Sequence, residues 1–463
     1  MTPSLRPPEG ELFEIPPVAS ELGERFENAG HQLYLVGGAV RGAVMGTMGM
    51  DLDFATDARP AQVIGLLQGW ADSRYLVGVE YGTVGARKGE HILEITTFRE
   101  DVYRTDSRHP VVTYAKDVET DLARRDFTIN AMAVRVPGGK LTDPHGGLYD
   151  LAHKRLRTPL TPEESFSDDP LRMLRAARFV STLGVTPIPE VVEAIRRMRQ
   201  RLQIISAERI RDELSKLLLG EHVDQGLELM VESGLAEQFI PEIPALRLQQ
   251  DPVHRHKDVL RHTFAVVKRT EADLTLRLAA LLHDIGKPDT RQVTAEGVQF
   301  HHHEVVGARL AEQRLRALRF PERVVQDVTQ LVAMHLRFHG YRSWGDGGLR
   351  RYVRDAGPLL DKLNLLTRAD CTTQNPAKAR ALAELQDELE ERIARLAEQE
   401  NLSRIRPPLD GHEVMEHLKL PPGPMVGKAL DYLLQIRLDR GPISKEEAFR
   451  VLDEWWREQD QGE

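Results

Sequence analysis

Three sets of polar residues have types and spacings that can do chemistry. The first lies in "MDLDFAT" (50–56), where Asp51 and Asp53 stand two apart. On a β-strand such a pair points to one face. Two like charges side by side cost stability unless a cation lies between them. Magnesium prefers hard oxygen ligands and bridges carboxylates to phosphates, and two such ions can clamp the attacking and leaving oxygens of a phosphoryl displacement. An isolated Asp-x-Asp also fits a plain surface strand. Glu94, in "HILEITTF" (91–98), is a candidate third carboxylate on a neighbouring strand, and equally a surface strand residue.

The second set follows in "RRDFTINAMA" (124–133) and "SDDPLRMLRAARF" (167–179). Arg125 can neutralise a polyphosphate while Asp126 accepts from sugar hydroxyls; a surface ion pair is the plainer reading. Asp169 and Arg172 lie three apart, hence on one helical face, with Pro170 suited to the first turn. A carboxylate accepts and a guanidinium donates in a rigid fork, so the two can present a fixed edge to a base, or form an exposed ion pair of little energetic weight. Arg175 and Arg178 share the same broad arc, facing phosphate or pairing with acids.

The third set is made of histidines. "HRHKDVLRHTF" (254–264) precedes "LRLAALLHDIGKPDTR" (276–291), in which His283 and Asp284 end an apolar helical run. Burying two polar groups there is costly unless they bind something, and imidazole with carboxylate suits manganese, nickel, iron or zinc. "FHHHEVVGA" (300–308), "LVAMHLRFH" (331–339) and "LTRADCTT" (366–373) add further candidates.

The elements that must position these groups are legible in outline. "LYLV" (33–36) reads as a strand, and "GGAVRGAVMG" (37–46) as a glycine turn running into a helix. Gly37 and Gly38 there bring backbone N–H groups and a helix N-terminus up to a phosphate. "VGVEYGTVGARKGEHILEITTF" (77–98) suggests two or three short strands. From about 160 to 250, and again over 252–372, the pattern is helical. "ARALAELQDELEERIARLAEQE" (379–400) carries opposite charges at i, i+4 and little apolar stripe, so it reads as a solvated connecting helix. The proline pair in "RIRPPLDG" (404–411) marks a boundary.

"GGAVR" followed by "DLDFAT", "EITTFR", "RRDFTINAMA", "DPHGGLYDL" (143–151), "DDPLRMLRAARF" and "ERIRDELSKLL" (208–218) closely resembles the nucleotidyltransferases that add or repair the 3′ CCA end of tRNA, and the related bacterial poly(A) polymerases. The resemblance implies an α+β protein. An N-terminal polymerase-β-like nucleotidyltransferase domain with a mixed β-sheet (1–155) would be followed by an all-α neck and body (156–250), a helical HD domain (251–375), and a connecting helix with a small helical tail (376–463). It implies Mg2+ on Asp51 and Asp53, with Glu94 as a further catalytic carboxylate. Nucleotide would be bound by Gly37, Gly38, Arg41, Arg125, Asp126 and Asn130. Asp169 and Arg172 would act as a protein template selecting CTP and ATP. Two positions depart from the family pattern: Gly42 stands where an acid is usual after the arginine, and Asp168 where Glu is common.

The histidine segments resemble an HD-superfamily phosphohydrolase. That resemblance implies His262, His283, Asp284 and Asp370 as ligands of a transition metal, with His303 and His335 in addition. His256, His301, His302 and His339 stay open between supporting, RNA-facing and surface roles. Such domains resemble enzymes that hydrolyse phosphate esters, including 2′,3′-cyclic phosphates. CC-adding members have lost a flexible segment between the first two motifs, whereas "REDVYRTDSRHPVVTYAKDVETDL" (99–122) is retained here. This argues against CC-only addition and leaves CCA addition, A-only addition downstream of a separate CC-adding enzyme, and poly(A) synthesis open. The segment "PPLDGHEVMEHLKLPPGPMVGKALDYLLQ" (407–435) resembles the tail of the same group, and its "GPMVGKAL" reads either as an RNA-phosphate contact or as a packing helix.

Bulk properties bound these readings. The 463 residues exceed one ordinary core. A net charge of -9 means that any nucleic-acid surface must be local. One cysteine excludes an intramolecular disulfide and suits a reducing cytoplasm. No signal-peptide pattern opens the chain, and no apolar run approaches the ~20 residues of a membrane span. A phosphohydrolase with an RNA-holding N-terminal half is the rival enzyme; a non-enzymatic RNA chaperone would leave both metal constellations idle.

Overall fold

The computed structural model describes residues 15–102, 111–248, 258–294, 297–371, 375–400, 402 and 405–460. The chain divides into two compact units, 1–241 and 242–463, a coarser division than the four segments expected from sequence. His256 lies outside the described residues.

The first unit opens on the mixed sheet of an α+β fold. Strands β1 (Leu33–Val36), β2 (Asp51–Thr56), β3 (Ser73–Tyr75), β4 (Thr83–Lys88) and β5 (His91–Thr97) come first. A separate hairpin, β6 (Arg99–Val102) and β7 (Val111–Tyr114), precedes β8 (Ala133–Val136) and β9 (Leu141–Thr142). All but the hairpin form one sheet, in the order β3-β4-β5-β2-β1-β8-β9. Within it only β2 and β5 run parallel; their register sets Asp53 opposite Glu94, and β1 and β8 pair antiparallel beside them. Period-two alternation explains the burial. Leu52 and Phe54 go into the core while Asp51 and Asp53 face outward, and on β5 Leu93 and Ile95 are buried while Glu94 is exposed. Helices Pro17–Asn28 and Pro60–Leu67 cover the apolar face through Leu22, Phe26, Val63 and Leu67. Gly23 lets the first of them lie directly on β8, since a Cβ there would meet the Val136 carbonyl carbon at 2.5 Å.

The described parts of the 99–122 segment form regular elements rather than a loop. Strands β6 and β7 pair antiparallel, and helix Val118–Ala123 follows, its N-terminus capped by Asp117 accepting from the Thr120 N–H. Residues 103–110 lie outside the described residues. Helices Pro162–Asp168, Leu171–Leu183, Pro189–Met198, Ala207–Leu218 and Val223–Glu232 complete this unit. The first is closed by a capping box between Thr161 and Glu164.

Among its described residues the second unit is helical apart from one hairpin, Arg291–Thr294 with Gly297–Phe300, in a stretch whose pattern reads as helical. Helix Pro376–Gln399 forms as expected but is not merely solvated. It buries Leu389 and Leu396, and Gln386 donates to the Asn364 carbonyl at 2.7 Å. Just beyond it, buried Glu400 accepts from Arg350 at 2.7 Å and from Arg437 at 2.7 Å, tying the C-terminal helices to the rest of the unit. Those helices, Gly411–Leu418, Pro424–Arg440 and Lys445–Asp460, share a small core of Val414, Ala429, Leu433 and Leu452. No helix among the described residues is long and apolar enough to cross a membrane.

Candidate functional site

The first site is built on the outer face of β2 and β5. Asp51 and Asp53 share that face, and Glu94 is paired opposite Asp53. Gly37, between β1 and helix Gly38–Met45, has φ 65, a left-handed conformation that favours glycine. A Cβ at Gly37 would stand 2.9 Å from Arg125 Nη1 and 3.7 Å from Asp53 Oδ2. Glycine thus leaves open a cradle between a guanidinium and a carboxylate. Burial raises the Asp53 carboxyl above its ordinary range; Arg125 opposes that rise, and Glu94 and Asp51 add to it. With Asp51 on the same strand face and Glu94 paired opposite, the crowding of negative charge on Asp53 suits a cation beside it.

Gly42 explains the departure noted at that position. It is buried, and a Cβ would meet Met48 Cα at 3.1 Å and the Thr47 carbonyl at 3.2 Å. The turn after the helix fills the space that an acidic side chain would need.

A guanidinium–carboxylate network backs this cradle. Asp121, fully buried, accepts from Arg124 at 2.7 Å and from Arg125 at 3.1 Å. Asp126 accepts from the Phe127 N–H, Asn130 Nδ2, Arg175 Nε and Arg175 Nη2. These four donors use the four lone-pair directions of the carboxylate. In this structure Asp126 therefore orients Asn130 and Arg175. Burial alone would raise its carboxyl, but Arg175 and Asn130 hold it well below the usual range. Asn130 in turn accepts from Arg41.

On helix Leu171–Leu183 Arg175 and Arg178 both reach Glu213, at 3.3 and 3.2 Å. Arg41, Arg175 and Arg178 also surround the Phe179 ring at 5.2, 5.5 and 4.2 Å from its centre. Burial lowers Arg178 to about 10, with Arg175 adding and Glu213 opposing.

Asp169 and Arg172 do not share a helical face: Asp169 is the extended residue after helix Pro162–Asp168, Pro170 caps the next helix and only Arg172 lies within it, and the two side chains bind other partners. Asp169 accepts from the Leu171 N–H at 3.1 Å and from Arg209 at 2.6 Å. Arg172 is buried and donates to the Ser165 carbonyl at 3.2 Å, to Ser165 Oγ at 3.0 Å and to the Arg124 carbonyl at 2.5 Å. Asp168 ends the preceding helix. Sequence reasoning missed Asp121, Arg209 and Glu213. Asp121 had a local signal, being three and four residues before Arg124 and Arg125 on one helical turn; Arg209 and Glu213 lie within "ERIRDELSKLL", but the pairing of Arg209 with Asp169, forty residues away, has no local signal.

The second site lies inside the second unit. His283, Asp284 and His335 are 1% exposed, and His262 and His303 are buried with them. The rings run in series: His262 to His283 at 5.4 Å, His283 to His335 at 5.3 Å, and His335 to His303 at 5.3 Å between centres. Three of them share one fixing device. The Nδ1 of His283, His303 and His335 bonds the carbonyl three residues earlier, on Ala280, Phe300 and Val332. That fixes Nδ1 as the protonated nitrogen and leaves the Nε2 lone pair free, the arrangement metal-ligating histidines use. All three Nε2 atoms are buried without a hydrogen-bond partner.

Their ligand atoms fall into two groups, His262–His283–Asp284 and Asp284–His303–His335, each with its atoms within 4.8 Å of one another. Asp284 Oδ2 faces His283 at 3.2 Å and Oδ1 faces His303 at 3.3 Å. Asp370 lies 2.8 Å from His262 and 3.6 Å from His283. Burial and then His283 push His335 down to about 3, which keeps it neutral and able to ligate. Burial would lower His283 too, but the Asp284 carboxylate beside it raises it. The centre calls for positive charge, and its buried, unpartnered nitrogens fit a transition metal. Outside it, His301 bonds Gln299, and His302 and His339 are exposed.

Comparison with known proteins bears on both sites. Residues 33–157 match the model of the poly(A) polymerase head domain, 184–246 that of the probable RNA- and SrmB-binding site of polymerase A, and 258–400 that of the HD domain. An A-adding tRNA nucleotidyltransferase of Deinococcus radiodurans is 34% identical over 443 residues, covering 92% of this chain and 96% of that protein. The chain belongs to the tRNA nucleotidyltransferase family. A CC-adding tRNA nucleotidyltransferase of Thermus thermophilus is 33% identical, covering 91% of this chain and 93% of that one. The solved CCA-adding enzyme of Bacillus stearothermophilus in complex with CTP superposes with a TM-score of 0.73 at 26% identity, over 97% of this chain and 100% of that chain. In this tRNA nucleotidyltransferase the head-domain match holds the carboxylate site, and the HD-domain match holds the histidine centre.

Proposed function

We propose that the first unit transfers nucleotides from CTP and ATP to the 3′ end of tRNA, completing CCA or adding its terminal A. The carrying observation is the Gly37 cradle, open between Arg125 and Asp53, with Asp51 and Glu94 on the same sheet face. The 3′-hydroxyl oxygen of the tRNA attacks the α-phosphorus, a phosphodiester forms, and pyrophosphate leaves. Arg125 and the backbone at Gly37 and Gly38 hold the triphosphate, with Arg41 beside them. Asp51, Asp53 and Glu94 would hold Mg2+, which when bound neutralises phosphate charge and orients the reacting oxygens. Arg172, locked by Ser165 and the Arg124 carbonyl, presents its remaining N–H groups to the base, and Asp169 presents its carboxylate. Asp126 contributes by fixing Asn130 and Arg175.

The retained 99–122 segment supports addition of A. The likeness in full length to an A-adding protein and to a CC-adding one makes the division between CCA and A-only addition the question to test. Purified protein receives magnesium, labelled CTP or ATP, and tRNA ending either at the discriminator base or in CC. Extension of the first to CCA gives a complete CCA-adding enzyme; extension of the second alone, by one adenosine, gives the A-adding half of a divided system. Failure on both overturns the transferase reading. The Asp51→Ala, Asp53→Ala double variant is the control and is expected to be inactive.

For the second unit we propose a metal-dependent phosphohydrolase acting on phosphate esters such as 2′,3′-cyclic phosphates. His262, His283, Asp284 and Asp370 would hold a transition metal, with His303 and His335 around the other oxygen of Asp284. When bound, such an ion supplies Lewis acidity and activates water. Water adds to phosphorus and the P–O3′ bond breaks, which leaves the phosphate as a 2′-monoester and frees a protonated 3′ hydroxyl that the first unit can extend. Asp284→Ala is expected to abolish cyclic-phosphate hydrolysis and spare CTP and ATP addition; loss of both activities would overturn separate sites.

A further inference from the structure

Asp121 touches no group assigned to metal, yet three elements of the transferase site converge on it. It sits on helix Val118–Ala123 with no exposed surface. Its Oδ1 accepts from Arg124 Nε at 3.1 Å and Nη2 at 2.7 Å, and its Oδ2 accepts from Arg125 Nη2 at 3.1 Å. The Arg99 N–H, at the start of the hairpin, lies 3.4 Å from Oδ1. Each arginine contact leads on to the site. Arg125 Nη1 borders the Gly37 cradle beside Asp53. The carbonyl of Arg124 takes Arg172 Nη2 at 2.5 Å.

Resting on the transferase reading above, we propose that Asp121 is a positioning residue that sets triphosphate binding and base selection together. One carboxylate, gripping two consecutive guanidiniums with different oxygens, fixes Arg125 toward the phosphate cradle. It also fixes the Arg124 backbone that steadies Arg172. Although burial opposes it, the two guanidiniums keep the carboxyl below its ordinary range, so the group is ionised at neutral pH. Being bonded to the first residue of β6 as well, Asp121 ties the hairpin base to the same point.

The test compares wild-type protein with Asp121→Asn, which keeps the shape and drops the charge, and Asp121→Glu, which keeps the charge and moves it by one methylene. Steady-state kinetics on CC-ended tRNA, for correct ATP and for competing UTP and GTP, give KM, kcat and discrimination. Loss of a charge-assisted bond corresponds to an effect of about tenfold. The expected result for Asp121→Asn is therefore an ATP KM raised about tenfold and a weakened preference over UTP and GTP, with Asp121→Glu recovering some of both. A helix anchor alone would lower kcat and thermal stability and leave KM and discrimination unchanged, and that outcome overturns the proposal. If Asp121→Asn fails to fold, Asp121→Glu carries the same readout, and unchanged KM and discrimination there overturn it equally. Wild-type protein that adds no nucleotide would instead bring down the transferase reading itself.

Discussion

At the scale of single residues, the carboxylates of the first unit do two different jobs. Asp53 has Asp51 and Glu94 as its acidic neighbours, whereas Asp121 is held by guanidiniums and Asp126 by Arg175, Asn130 and a backbone N–H. The sequence displays both kinds as Asp beside Arg, so it identifies the residues without ranking their partners. Spacing alone cannot decide that Arg175 turns to Asp126 and Glu213, because those partners lie 49 and 38 residues away. The saturated set has a signature in pH. The folded-state value of Asp126 lies well below its unfolded value, so its stabilisation is complete above about pH 4 and is lost as pH falls toward the folded value. Asp126→Asn should cost about 3 kcal/mol near neutral pH by leaving Arg175 short of its partner. It should also lose less stability than wild type on acidification. Urea midpoints measured at neutral pH and below about pH 4 check both outcomes; parallel losses for the two proteins would contradict the assignment.

At the scale of elements, strands and turns near the site were the most legible. "LYLV", the glycine turn and the 77–98 strands all form, because period-two burial and the demand for a left-handed residue at Gly37 are local properties. The 99–122 segment was harder to read. Its hairpin pairing and the burial of Asp121 depend on residues distant in sequence. Close packing between elements was also invisible beforehand. Gly286, between the His283–Asp284 pair and the next helices, is one such contact: a Cβ there would stand 2.2 Å from the His303 carbonyl and 2.7 Å from the Gly307 N–H. Gly286→Ala should push the His303–Ala317 helix off its seat at a cost of about 1–3 kcal/mol. Metal bound by the second unit, measured by elemental analysis on an Asp51→Ala, Asp53→Ala background, should fall while the head-domain fold persists.

At the scale of the whole molecule, the chain resolves into two compact units where the sequence suggested four pieces. Motif order and changes in composition mark segments, but compactness depends on contacts that no local pattern reports. Two compact units should unfold in more than one step. A transition metal at about a hundredfold excess over its dissociation constant should stabilise the second by about 2.7 kcal/mol. Calorimetry of the Asp51→Ala, Asp53→Ala double variant with added Mn2+ should therefore raise one transition and leave the other in place; a single transition moving as a whole would contradict independent units. The lone cysteine has a practical consequence. Cys371 is half-buried and adjoins Asp370 at the end of helix Leu360–Asp370, and the chain has no other thiol. One maleimide dye is therefore expected to label the protein at a single address next in sequence to Asp370.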